Sequence, residues 1–117
     1  MQCMTHYRKW DIVLVPFPFT DLSSTKKRPA LVVSPNQYNA MDDLVIAFIT
    51  SNLAGNEKFG DYLINSWQQS GLPLPSKLRM KFATVSKDVV LKKIGSIPAE
   101  EQVAISNLLR GFFVDVS

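Results

Sequence analysis

The chain has 117 residues, of which 46% are hydrophobic, and a formal net charge of +3. This length allows a single domain, expected at residues 9–117 behind a flexible N-terminal extension at residues 1–8, and excludes a second one. The longest apolar run, residues 12–19, contains prolines and is too short to span a bilayer, and residues 1–9 lack the apolar core of a signal peptide. We therefore expect an unexported, cytoplasmic protein that does not associate with a membrane.

The only cysteine and the only histidine are Cys3 and His6. One cysteine cannot form an internal disulfide, and the two residues fall short of the ligand set of a structural zinc ion. We therefore expect no metal site and no cofactor. The positive net charge favours an acidic or polyanionic partner without identifying it.

The first predicted strand begins at Trp10 and ends near Phe17, because its residues are of the β-branched and aromatic types that suit a sheet and two prolines weaken pairing beyond it. Residues 20–25 have the composition of a loop. A second apolar strand is predicted at residues 30–33, between two further prolines.

Arg28 is the last polar side chain before this second strand, and it follows the loop cations Lys26 and Lys27. A guanidinium fixed at the entrance of a strand, beside two more cations, is suited to binding a phosphate. The alternative is an arginine that only keeps the edge of the strand soluble.

Residues 44–49 form a nearly continuous apolar run, which predicts a central strand, and residues 61–65 predict a short strand after a glycine-containing loop. Residues 70–75 contain two prolines and are predicted to be an irregular linker. A last strand is predicted at residues 89–97, with a bulge near Gly95.

Apolar and basic residues alternate strictly from residue 77, which predicts a half-buried antiparallel strand. Its apolar face carries Leu78, Met80 and Phe82, and its outer, basic face carries Lys77, Arg79 and Lys81. The basic face could follow the backbone of a single-stranded nucleic acid, with Trp67 or a tyrosine as a stacking surface. The alternative is a solvated strand face that discourages aggregation.

The chain ends in a predicted amphipathic helix. Pro98 presets its first turn, Glu100 and Glu101 favour its positive end, and apolar residues recur at helical spacing at Ile105, Leu108, Leu109 and Phe112. Short strands followed by one helix predict a mostly β fold, a β-rich α+β architecture. We expect a strongly curved antiparallel barrel with a C-terminal α-helix packed on it.

Several short motifs follow one another in a specific order. They are WDIVLVPFPF at residues 10–19, RPALVVS at 28–34, ITS at 49–51, SGL at 70–72, PSKLR at 75–79, ATV at 83–85 and IGSI at 94–97. Their order and spacing resemble the MazF/PemK family of toxin endoribonucleases. The resemblance implies an SH3-like barrel, a homodimer, an acidic antitoxin as partner, and metal-independent cleavage of single-stranded RNA. The products would be a 2′,3′-cyclic phosphate and a 5′-hydroxyl, and cutting mRNA would block translation.

The resemblance also implies roles for individual residues. Arg28 matches the family's catalytic arginine, and Thr50 matches the catalytic hydroxyl residue that ends the third strand, often accompanied by Ser51. Arg79 matches an arginine that is catalytic in some members and binds RNA in others. Those members place a carboxylate, proposed as the general base, two residues later. Here Lys81 stands there, so that role does not carry over.

In this reaction the nucleophile is the substrate's own 2′-hydroxyl, so DNA is excluded. Arg28 suits the stabilisation of charge on the phosphoryl oxygens, because its fork donates parallel hydrogen bonds while remaining charged. Thr50 could donate to the phosphate or position the 2′-hydroxyl; the alternative is a strand-end hydroxyl that caps a loop. The candidate RNA-binding residues are Lys26, Lys27, Ser51, Lys77, Arg79 and Lys81.

Two other functions fit the same barrel. One is a non-catalytic toxin, like the gyrase-poisoning CcdB toxins, which resemble this family in fold but lack these motifs. The other is an inactive family member that only binds RNA or an antitoxin, which the lysine at position 81 leaves open.

Overall fold

The structure is a computed structural model that describes residues 6–17 and 26–114. Its elements in chain order are β1 (Asp11–Pro16), β2 (Lys27–Val32), α1 (Asn36–Asn39), β3 (Asp43–Thr50), β4 (Tyr62–Leu63), β5 (Lys77–Ser86), a 3₁₀ turn (Lys87–Val89), β6 (Lys92–Ser96) and α2 (Ala99–Phe113). The predicted loop at residues 20–25 lies outside the described residues. None of the helices in the described ranges is long and apolar enough to cross a membrane.

The strands form one six-stranded sheet in the order β4-β5-β3-β2-β1-β6, and every neighbouring pair is antiparallel. The sheet is curled into a half-barrel, with α2 as its C-terminal helix. This confirms the predicted fold class. The linker at residues 70–75 is irregular, as expected, whereas α1 and the 3₁₀ turn were not predicted.

The second strand begins earlier than its apolar run suggests. β2 starts at Lys27, so Arg28 lies inside the strand, opposite Val15, and the expectation that it precedes the strand was wrong. The reason is that the β1–β2 ladder continues past the apolar residues: Pro16 pairs with Lys27, and the N–H of Phe17 donates to the carbonyl of Lys26 at 2.9 Å.

Both faces of the sheet are apolar, and each carries a buried cluster. Cluster 1 contains Tyr7, Val13, Val15, Ala30, Val32, Leu44, Ile46, Phe48 and Val85. Cluster 2 contains Ile12, Leu31, Ala47, Ile49, Ile64, Leu72, Leu78, Ile97 and Ile105. The curled sheet encloses cluster 1, while α2 covers cluster 2 through Ile105 and Leu109. Trp10, at the start of the first predicted strand, packs half-buried against cluster 2.

The residues before β1 belong partly to the barrel. Tyr7 is 9% exposed and packs in cluster 1, and the N–H of Arg8 donates to Oδ2 of Asp11 at 2.8 Å. The extension expected at residues 1–8 therefore does not include its last two residues. Residues 1–5 lie outside the described ranges.

The predicted bulge near Gly95 is confirmed. Ile12 pairs with Gly95 but Val13 pairs with Lys93, which leaves Ile94 as the extra residue of β6. A Cβ atom on Gly95 would lie 1.9 Å from the carbonyl oxygen of Ser70. Only glycine lets the irregular segment before β5 approach β6 this closely.

Glu101 ties α2 to the segment that follows β4. Glu101 is only 7% exposed. Its carboxylate accepts hydrogen bonds from the hydroxyl of Tyr62 at 2.6 Å and from the backbone N–H groups of Asn65 and Ser66 at 2.9 Å each. It also accepts a hydrogen bond from the hydroxyl of Ser66. Burial alone would raise the pKa of Glu101, but these hydrogen bonds outweigh burial and lower it. Burial, with donation to Glu101, raises the pKa of Tyr62 to about 12.

Candidate active site

A cleft of about 560 Å³ opens where cluster 1 reaches the surface. Its walls are formed by the end of β1, the start of β2, the end of β3, the loop before β4 and the first half of β5. Four of the candidate site residues predicted from the sequence line it together, although they come from three separate strands: Arg28, Thr50, Arg79 and Lys81.

Strand periodicity places Arg28 and Thr50 on the same face of the sheet. Side chains two residues apart along a strand point to the same side of the sheet. Arg28 therefore shares the face of Ala30, and Thr50 shares the face of Phe48. Ala30 and Phe48 are paired across β2 and β3 and belong to cluster 1. The cleft therefore lies on the same face of the sheet as cluster 1, where the apolar residues of that face give way to polar ones.

A bulge in β5 brings Arg79 and Lys81 to the cleft. Ala47 pairs with Phe82 and Ile49 pairs with Leu78, so residues 79–81 all lie opposite Phe48. The extra residues leave the regular ladder at the cleft, where bulges commonly redirect side chains. Arg79 and Lys81 reach the cleft from this irregular stretch.

Arg28 is half-buried in the cleft wall. Among the residues that the structure describes, no carboxylate lies within ion-pairing distance of its guanidinium. The planar fork thus keeps its donors for an anion, which it can bind through two parallel hydrogen bonds.

Thr50 has a structural contact as well as a place in the cleft. Its Oγ1 accepts the backbone N–H of Asn52 at 3.1 Å, which caps the loop after β3. A hydroxyl that accepts one hydrogen bond still has its proton and a second lone pair. The loop-capping role and a role toward a ligand are therefore compatible.

Asp61 was not predicted from the sequence as a site residue. Its side chain is 2% exposed in the cleft wall, and its Oδ2 lies 3.4 Å from the ammonium of Lys77, 3.8 Å from the guanidinium of Arg79 and 2.9 Å from the N–H of Lys58. Burial alone would raise the pKa of Asp61, but the Lys58 hydrogen bond and the two cations lower it below its ordinary value. The carboxylate is therefore ionised at neutral pH.

The expected basic face of β5 needs one correction. Lys77 is only 5% exposed, because Asp61 draws its ammonium into the wall of the cleft, so it does not belong to an exposed basic face. Lys81 is exposed and lies over the ring of Phe17, 5.7 Å from its centroid, and Arg79 is partly exposed. Three other candidate RNA-binding residues, Lys26, Lys27 and Ser51, are exposed and do not line the cleft.

Sequence reasoning also missed Asn52, Lys58 and Phe59, all of which line the cleft. A signal for Asp61 was present: it is the only acidic residue between positions 58 and 87, a span that contains the three cations of β5. Trp67, considered as a stacking surface, packs against cluster 2 instead and does not line the cleft.

Of the residues that the structure describes, four cationic side chains, Arg28, Lys58, Arg79 and Lys81, line the cleft together with one carboxylate, Asp61. The cleft is therefore electropositive and suited to a polyanion. Among the described residues, no group of three His, Cys, Asp or Glu side chains is placed to hold a metal ion.

Several solved structures share this fold. An endoribonuclease in complex with its cognate antitoxin, from a mycobacterial species, superposes with a TM-score of 0.68 at 18% identity over 92% of each chain. The toxin MazF-mt6 of Mycobacterium tuberculosis has a TM-score of 0.69 at 18% identity, over 88% of this chain and 95% of that one. A chain of the MazE-MazF structure from Deinococcus radiodurans has a TM-score of 0.69 at 17% identity, over 93% of this chain and 96% of that one.

A comparison with curated proteins found no significant match. The family model for the PemK-like, MazF-like toxin of type II toxin-antitoxin systems matches residues 8–113, which is nearly the whole chain. This range contains all six strands of the sheet and α2. The half-barrel fold and its structural neighbours agree with this match. The chain therefore belongs to the PemK-like, MazF-like family of type II toxins.

Proposed function

We propose that this chain is a metal-independent endoribonuclease, an mRNA interferase, that cleaves single-stranded RNA to a 2′,3′-cyclic phosphate and a 5′-hydroxyl. As the toxin of a toxin-antitoxin pair, it would stop growth by cutting mRNA in the cytoplasm and so blocking translation. The observation that supports this proposal best is the presence of Arg28 and Thr50 in one electropositive cleft, with no carboxylate paired to Arg28 among the described residues.

Arg28 is assigned the stabilisation of the transition state. Attack of the 2′-hydroxyl on the adjacent phosphorus adds negative charge to the phosphoryl oxygens, and a preorganised guanidinium in a partly dry cleft binds that charge more tightly than it binds the ground state. Arg28 remains protonated throughout and cannot serve as the general base. Because the attacking group belongs to the RNA, the reaction needs no metal-activated water.

Thr50 is assigned the positioning of the reacting groups. Its backbone is held at the end of β3, and its hydroxyl is oriented by the N–H of Asn52. The remaining proton can be donated to a phosphate oxygen, or the remaining lone pair can accept from the 2′-hydroxyl. Either contact favours the in-line geometry that internal transesterification needs.

The partners are proposed from the same features. Structures of two similar toxins contain an antitoxin or the MazE-MazF pair, and the cationic cleft suits an acidic antitoxin segment. A homodimer is proposed because four phenylalanines form an aromatic patch beside the end of α2: Phe59, Phe82, Phe112 and Phe113. Phe59 is 84% exposed and Phe113 is 65% exposed, which is costly for a monomer.

The dimer can be tested by sedimentation. The protein should sediment as twice its 13.1 kDa chain mass at micromolar concentration. Phe113→Ser should weaken the dimer, whereas the control Val103→Ser, at an equally exposed apolar position of α2, should not. A parent that sediments only as the monomer contradicts this part of the proposal.

The nuclease proposal is tested by incubating the protein with a long single-stranded RNA in excess chelator and mapping both ends of each cut. We expect cleavage with cyclic phosphate and 5′-hydroxyl ends, and no cleavage of the matching DNA. A 3′-hydroxyl end, or activity that returns only with added magnesium, contradicts the mechanism. RNA binding without cleavage would favour the inactive family member.

A further inference from the structure

Among the described residues that line the cleft, Asp61 carries the most deeply buried charge, and nothing in the proposed reaction uses it. Its Oδ2 contacts Lys77, Arg79 and the N–H of Lys58, while its Oδ1 is buried and has no hydrogen-bond partner. A buried, half-satisfied carboxylate costs stability, and a well-packed apolar residue often serves the fold equally well. Such a group at the wall of a functional cleft calls for a functional explanation.

The register of the sheet shows what Asp61 is placed against. Tyr62 pairs with Leu78 and Leu63 pairs with Lys77, so extending the β4–β5 ladder by one residue puts Asp61 opposite Arg79. β4 has only two residues, and the network around Glu101 secures the segment that follows it. The short strand therefore serves to hold the carboxylate against β5.

The two ion pairs of Asp61 are not equivalent. Lys77 lies at 3.4 Å with its side chain 7% exposed, whereas Arg79 lies at 3.8 Å with its side chain 28% exposed. The first pair neutralises the buried carboxylate. The second is too long to be a hydrogen bond, so it attracts the guanidinium without using its N–H donors. Arg79 is held at the cleft and can still donate to a phosphate.

We infer that Asp61 is a positioning residue, which holds the Arg79 guanidinium in the cleft for an RNA phosphate, and that Lys77 is its buried counter-ion. This inference rests on the proposed function. The triad keeps an excess positive charge, so a phosphate is still attracted to it. Asp61 is not the general base, because it is buried and its partners stabilise the ionised form, which makes it a weak acceptor of protons.

A double-mutant cycle tests the inference. The probe is a single-stranded RNA with 2′-O-methyl groups, which can bind but cannot be cut. Asp61→Asn should weaken binding about tenfold, a common coupling for residues in one ionic network. In an Arg79→Ala background the same substitution should have no further effect, because the residue through which Asp61 acts is gone. In an Arg28→Ala background its effect should be undiminished.

Asp42→Asn is the matched control, since Asp42 is exposed and precedes the far end of the β3–β5 ladder. It should leave binding unchanged. A purely structural role for Asp61 predicts the same loss of binding with or without Arg79, and that result overturns the inference. A general base predicts lost cleavage with intact binding, which overturns it as well.

If Asp61→Asn does not fold, the coupling is measured by changing Arg79 and observing Asp61. Arg79 is partly exposed, so Arg79→Ala is expected to fold, and NMR titration of the Asp61 carboxyl should then show a pKa closer to its ordinary value than in the parent. An unchanged pKa shows that the two groups are not coupled and overturns the inference. Because binding and titration do not require cleavage, an inactive parent would contradict the nuclease proposal and leave this test intact.

Discussion

Thr50 and Lys77 lie directly opposite each other in the β3–β5 ladder, yet only Thr50 lines the cleft. The Thr50 hydroxyl lines it, whereas the Lys77 ammonium is drawn into its wall by Asp61. The two residues should therefore respond differently to substitution, the first in reaction rate and the second in stability.

Arg28→Ala should slow single-turnover cleavage at saturating protein by about 10²-fold or more, because it removes a donor to charge that develops in the transition state. Binding of the 2′-O-methyl RNA should change little. Arg8→Ala, at an exposed arginine outside the cleft, is the control. A saturated rate within about threefold of the parent, with the fold intact, would remove Arg28 from the catalytic step.

Lys81→Ala and Lys77→Met should separate binding from stability. Loss of one phosphate contact from exposed Lys81 should lower the slope of log affinity against log salt by about 0.7 on a single strand. Lys77→Met should leave that slope unchanged but reduce the free energy of unfolding by about 3 kcal/mol, because it takes one partner from a buried ion pair.

The measurements for these lysines are salt-dependent binding of the 2′-O-methyl RNA and denaturant unfolding. An equal reduction of the salt slope in both variants would mean that Lys77 reaches the RNA despite its burial. The stability effect of Lys81→Ala should be small, since its side chain is exposed and makes only the contact with Phe17 among described interactions.

Thr50→Val should lower the saturated cleavage rate by about tenfold or more, the usual value of one hydrogen bond to a charged group. Thr50→Ser keeps the hydroxyl and should retain most of the activity. Thr84→Val, at an exposed position of β5 away from the cleft, controls for loss of a strand hydroxyl. Equal rates for the valine and serine variants would leave Thr50 with only its loop-capping contact to Asn52.

Glu101→Gln should destabilise the protein at neutral pH by about 2 kcal/mol, since it weakens hydrogen bonds to a buried charged group. The pKa of Glu101 is lower in the folded chain than its ordinary value of 4.5. Its stabilising effect is therefore complete above about pH 4.5 and is lost as the pH falls through the lower folded-state pKa.

The difference in unfolding free energy between the parent and Glu101→Gln should accordingly shrink in acid. Denaturant unfolding at a series of pH values measures it, and Glu100→Gln, at the exposed neighbouring position, should show neither effect. A difference that stays constant from neutral pH to below pH 4 would show that the charge of Glu101 is not what stabilises the contact between α2 and the segment after β4.

The sequence by itself determined the elements whose signals are local. The strand at residues 44–49, the irregular linker, the bulge near Gly95 and the amphipathic helix all follow from side-chain periodicity or from the backbone limits of proline and glycine. Motif order was also enough to single out Arg28 and Thr50, since it does not depend on knowing which strands pair.

Only the tertiary structure decided which charged side chains are buried at the cleft and which are exposed. Whether Lys77 is exposed depends on whether Asp61, the residue just before β4, lies beside it. The pairing of β4 with β5 is a register between segments separated by an irregular linker. Alternation along β5 shows which side chains share a face but not what covers that face. The buried carboxylate of Asp61, and with it the difference between Lys77 and Lys81, therefore becomes visible only once the sheet is assembled.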